Sequence, residues 1–72
     1  MAKSFPIINN VKELREKSGI TQSDLGEAVG VTRQTVAAIE QCRYSPSLET
    51  AFRIARIFNV DIGEVFQWKE ES

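Results

Sequence analysis

Arg33 and Gln34 stand side by side in the stretch GVTRQTVAAIEQ at residues 30–41, just inside what the local pattern makes a helix start. An arginine fork can bond bidentately to O6 and N7 of guanine, and a glutamine amide to N6 and N7 of adenine. Each such pair contributes roughly 1–3 kcal/mol of discrimination between bases. Ala38, one turn beyond Gln34, cannot hydrogen-bond through its side chain. It is suited to packing on a thymine methyl, or to letting the helix sit deep in a groove. The competing reading of Arg33 and Gln34 is an ordinary solvated helix start, so the surrounding elements have to decide.

Catalytic and metal chemistry find no support. The chain has no histidine, its serines have no partner base, and its single cysteine, Cys42, cannot build a zinc site or an internal disulfide. Glu13 and Glu16 lie at i and i+3 of an exposed helix and read as solvated charge. The expectation is therefore a non-enzyme with no metal, no cofactor and no small-molecule ligand. Cys42 leaves two readings open, a small loop residue or a redox-sensitive one.

The chain is 72 residues long, 42% hydrophobic and 26% charged, which predicts one soluble domain over residues 1–72. A chain of this size buries only about 60% of its unfolded surface and gains from dimerisation. No long apolar run or signal-peptide pattern is present, so the expected location is the cytoplasm, away from any membrane. The net charge of −1 argues mildly against nucleic acid. Segregated charges weaken that argument: between Thr32 and Ser45 the only charges are Arg33, Glu40 and Arg43, while acids gather at Glu13 and Glu16, Asp24 and Glu27, and Glu64, Glu70 and Glu71.

The elements that must hold Arg33 and Gln34 can be read from caps and spacing. Asn10 is the expected N-cap of a first helix that carries Val11 and Leu14 and stops at Gly19. Thr21 followed by Asp24 resembles a capping box opening a second helix, in which Leu25, Ala28 and Val29 have helical spacing. Gly30 ends that helix, and Thr32 caps a third in which Val36 and Ile39 point inward. With Gln22 as the first position, Gly26 falls where the two helices cross most closely and Gly30 where a left-handed turn residue is needed. The spacing over residues 21–41 is thus that of a helix-turn-helix.

Ser47 caps a fourth helix with Leu48, Ala51, Phe52, Ile54, Ala55 and Phe58 as a core stripe, not a cofactor pocket. Asp61 caps a short fifth with Ile62, Val65 and Phe66. Segments 4–8 and 66–70 are β-prone and predict an antiparallel pair. The fold class expected is mainly α: a five-helix bundle with a two-stranded terminal sheet.

From Val11 to Phe66, ITQSDLGEAVGVTRQTVAAIEQ and SPSLETAFRIARIFNVDIGEVF resemble the Cro/CI-type (XRE) family of small transcription regulators, which have the lambda-repressor-like DNA-binding fold. The ends resemble its compact dimeric members, in which the termini form a small sheet. The resemblance implies double-stranded DNA as partner, a homodimer, and most simply a repressor on a near-palindromic operator. It implies base contacts from Arg33, Gln34 and Ala38, and backbone contacts from Gln22, Thr32, Thr35, Gln41, Arg43 and Tyr44. Arg15 and Glu40 match a pair that braces the reading helix.

Position 26 is usually alanine in that family, and Gly26 costs the second helix about 1 kcal/mol of propensity. Position 42 is usually glycine or asparagine. For Arg43 and Tyr44 a loop charge and a half-buried ring compete with DNA contact. Ile62, Val65, Phe66 and Trp68 suit either a dimer interface or core packing. The rival class is a protein-interaction module, such as an antitoxin or accessory subunit built on the same bundle.

Overall fold

The computed structural model describes residues 6–69. Strand β1 (Ile7–Asn9) is followed by helices α1 (Val11–Ser18), α2 (Gln22–Val29), α3 (Arg33–Glu40), α4 (Leu48–Ile57) and α5 (Ile62–Val65), then strand β2 (Phe66–Trp68). The five helices and the terminal sheet are those expected. Strand β1 pairs antiparallel with β2 in the register Ile7↔Trp68, Ile8↔Gln67 and Asn9↔Phe66. The first strand thus runs later than the expected 4–8, of which residues 4 and 5 lie outside the described residues. The second ends at Trp68, before the expected residue 70, which also lies outside them.

Local chemistry sets most of the boundaries. Thr21 Oγ1 accepts from Asp24 N while Asp24 Oδ2 accepts from Thr21 N, both at 3.0 Å, so the capping box is formed in full. The bond from Thr21 N favours the ionised carboxylate and, with a smaller contribution from the Thr21 side chain, holds the pKa of Asp24 below its ordinary value. Thr32 and Ser47 cap α3 and α4 by accepting from Thr35 N and Thr50 N.

Asn10 departs from expectation. It makes no side-chain cap; its Nδ2 donates to the Glu64 carbonyl at 2.8 Å and ties the start of α1 to α5. Asn9 supplies the missing acceptor, its Oδ1 receiving Val11 N at 3.0 Å. Asp61 likewise makes no side-chain cap bond at α5.

The core is built from Val11, Leu25, Val29, Val36, Ile39, Ile54, Ala55 and Val65, with Leu14, Ile20, Val31, Phe58, Val60, Ile62 and Phe66 packed around it. Three expected core positions are corrected. Ala28 is exposed, and on α4 Leu48 is 71% and Phe52 48% exposed. Helical periodicity marks an apolar arc but not how much of that arc neighbours cover. Here Ala51, Ile54 and Ala55 face inward, and the margin carrying Leu48 and Phe52 is left open.

Candidate nucleic-acid interface

Helices α2 and α3 cross closely at Gly26. A Cβ on Gly26 would lie 2.7 Å from the Val31 carbonyl oxygen and 3.2 Å from the Thr32 carbonyl, so glycine lets the backbone of the turn pass directly over α2. Gly30 then turns the chain with φ +86°. These two glycines aim α3, and Val36 and Ile39, each 1% exposed, pin its inner face.

At about 100° per residue, Gln34 and Ala38 fall opposite Val36 and Ile39. Gln34 is exposed and Ala38 partly so, while Arg33 projects from the exposed first turn. Thr32 Oγ1 accepts from Thr35 N and donates to Thr35 Oγ1, both at 3.1 Å, which leaves the Thr35 hydroxyl proton free for an outside acceptor. Gln41, Arg43 and Tyr44 follow α3 and are all exposed. Arg33 and Arg43 make no ion pair among the described residues, so both charges remain available to an anion.

The brace behind this surface joins three helices. Arg15 Nε donates to Glu40 Oε2 at 2.7 Å and Arg15 Nη1 to the Ile20 carbonyl at 3.0 Å, with side chains 12% and 4% exposed for Arg15 and Glu40. The hydrogen bond to Glu40 raises the Arg15 pKa and outweighs the opposing effect of burial. The pair cancels a carboxylate that would otherwise repel a polyanion.

Two contacts of this region were not legible in the sequence. Gln22 Nε2 donates to Glu40 Oε1 at 3.0 Å, so the residue expected to meet a phosphate also meets the brace. Asn9 Nδ2 donates to the Ile39 carbonyl at 2.9 Å and approaches Cys42 Sγ at 3.8 Å, closing the C-terminal end of α3 from the sheet. Partners so far apart in sequence leave no periodic signal.

Cys42 itself is the left-handed residue after α3, with φ +60°. Cys42 N bonds the Ile39 carbonyl and Arg43 N the Ala38 carbonyl, each at 2.9 Å, the paired bonds of a Schellman cap. The preference for glycine or asparagine at this position has that cause.

The residues expected at a dimer seam separate. Val65 is fully buried inside its own chain and offers no surface to a partner, a correction to the expected set. Ile62 and Phe66 are half-buried, and Trp68 is 65% exposed. Ile62 and Phe66 join Ile7, Pro46, Leu48 and Ala51 around an apolar groove of about 300 Å³. No metal-binding cluster occurs among the described residues, and no helix among them is long and apolar enough to cross a membrane.

A bundle whose second and third helices cross on glycine, with polar side chains turned out along the third, defines a helix-turn-helix protein. Residues 11–65 match the helix-turn-helix family model, and the chain belongs to that family, in its Cro/CI-type (XRE) branch. It is a DNA-binding, HTH-type transcriptional regulator and not an enzyme. It is 53% identical over 64 residues to the uncharacterized HTH-type transcriptional regulator YgzD of Bacillus subtilis (strain 168), covering 89% of this chain and 97% of that one. It is 59% identical over 63 residues to an uncharacterized HTH-type transcriptional regulator of Methanothermobacter thermautotrophicus, covering 86% and 91%.

Among solved structures, the P22 c2 repressor in complex with a synthetic operator shares the fold with a TM-score of 0.72. Its identity is 22%, over 75% of this chain and 82% of that one. The restriction-modification controller protein C.AhdI of Aeromonas hydrophila gives a TM-score of 0.70 at 25% identity, over 76% and 80%.

Proposed function

We propose that the protein is a repressor that binds a near-palindromic operator as a homodimer, each copy laying α3 in the major groove of one half-site. The observation that carries the reading is the outer face of α3, where Gln34 and Ala38 lie opposite the buried Val36 and Ile39, with the exposed Arg33 in its first turn. Arg33 would read guanine and Gln34 adenine, while Thr32, Thr35, Gln41, Arg43, Tyr44 and the start of α2 at Gln22 would hold the sugar–phosphate backbone. Repression would follow from occlusion of a promoter. The P22 c2 repressor, solved on an operator, lends this reading support through its shared fold.

A dimer would bring two reading helices about 34 Å apart, one turn of the duplex. Leu48, Ile62 and Phe66 in the lining of the groove, with the exposed Phe52 and Trp68, would give it an apolar seam. The same exposed apolar margin favours a second reading, a module that holds another protein. Selection from randomised duplex DNA at physiological salt separates the two. Enrichment of a palindrome with half-sites about ten base pairs apart supports the dimeric reader. A folded protein that enriches no sequence, and that co-purifies with a second chain, supports the interaction module.

A further inference from the structure

We propose that Glu40 is a positioning residue for a phosphate contact made by Gln22, and that it thereby couples the grip on the DNA backbone to the seating of the reading helix. The inference rests on the DNA-binding reading above. Glu40 is the last residue of α3 and its side chain is 4% exposed. Its oxygens are divided between two other helices. Oε2 takes Arg15 Nε at 2.7 Å; Oε1 takes Gln22 Nε2 at 3.0 Å and, more loosely, Arg15 Nη2 at 3.4 Å.

An ionised carboxylate can only accept, so the Gln22 amide must turn its nitrogen toward Glu40. That nitrogen carries two hydrogens. One is committed to Glu40, and the other is left for an outside acceptor. A glutamine amide at an exposed helix start otherwise rotates over a broad torsional well. Fixing it in advance removes an ordering cost from binding. Arg15 neutralises Glu40, so the carboxylate orients the amide without repelling the phosphate it serves.

The test is binding of a labelled duplex carrying the selected operator, measured by fluorescence anisotropy at fixed salt. Gln22→Ala is introduced into three backgrounds: wild type, Arg15→Met/Glu40→Leu, and Arg15→Met/Glu40→Gln. The first double replacement exchanges the ion pair for apolar side chains, a change such pairs often tolerate. The second restores an acceptor without the charge.

Gln22→Ala is expected to weaken binding about tenfold in wild type and in the Arg15→Met/Glu40→Gln background, the loss of a hydrogen bond to a charged group. In the Arg15→Met/Glu40→Leu background it is expected to cost less than about twofold, the amide being already unplaced. An equal loss in all three backgrounds, or none in wild type, overturns the proposal. If wild type binds no duplex at all, the DNA-binding reading falls first. Should a double variant fail to fold, nitrogen-15 NMR of the wild-type Gln22 carboxamide decides. One amide proton protected from exchange before DNA is added, and the other shifting upon addition, supports the proposal. Both protons exchanging as fast as those of a free carboxamide, with neither shifting when DNA is added, overturn it.

Discussion

At the scale of single residues, the proposed function gives Arg33 and Arg43 different work. Arg33 sits at the start of the reading helix, and Arg43 lies beyond its end. Replacing Arg33 by alanine is expected to relax selection at one base pair per half-site, read as a lost base in a repeat of the duplex selection. Arg43→Ala is expected to weaken all duplexes about equally and to lower the slope of log affinity against log salt by about 1. Cys42 offers a different kind of test. A left-handed backbone strains any side chain by roughly 1–2 kcal/mol, and glycine returns part of that through unfolded-state entropy. Cys42→Gly is therefore expected to stabilise the fold by up to about 1 kcal/mol, seen as a higher denaturant midpoint with unchanged slope. The types of these residues and their offsets from Gly30 were legible in the sequence. The left-handed angle at Cys42 was not, because a cysteine carries no backbone signature.

At the scale of elements, capping residues and glycines did most of the specifying. The Thr21–Asp24 box was readable because both partners lie within one helical turn, and the structure forms it in full. Its pH dependence follows from the lowered pKa of Asp24. A depressed carboxylate contributes stability above its unfolded pKa and loses it as pH falls through the folded value. Asp24→Asn is expected to flatten the acid limb of the stability curve, measured by denaturant titration at stepped pH. Gly26 sets helix propensity against packing. Alanine gains about 1 kcal/mol of propensity, but its Cβ meets backbone oxygen, which cannot swing aside. With that gain set against an overpacking cost of about 1–3 kcal/mol, Gly26→Ala is expected to lower stability by up to about 2 kcal/mol. Thermal melts of both proteins compare them directly. Asn10 misled because cap propensity does not reveal a competing carbonyl from α5, distant in sequence.

At the scale of the molecule, the apolar margin of α4 is the feature that the sequence could not place. Leu48 and Phe52 fit the helical stripe, yet the bundle ends before it covers them. Only the assembled neighbours reveal where coverage stops, which is why the stripe and its exposed edge look alike in sequence. With the seam proposed above, Leu48→Glu is expected to shift a concentration-dependent dimer toward monomer in sedimentation and to weaken operator binding by at least tenfold, since half-sites would then be engaged singly. Its melting temperature at low protein concentration is expected to stay close to that of wild type, Leu48 being solvated already.

Pairing Ile7 with Trp68 also orders the molecule in time. The sheet joins residues near the two ends of the described chain, and Asn10 ties the start of α1 to α5 across nearly the same span. Closing so long a loop carries an entropic cost that two three-residue strands cannot recover alone. The strands therefore zip only onto a bundle already formed. Asn9 travels with β1. The bond that Asn9 brings to the Ile39 carbonyl thus depends on the sheet, while the brace to Arg15 and Gln22 holds the same end of α3 from within the bundle.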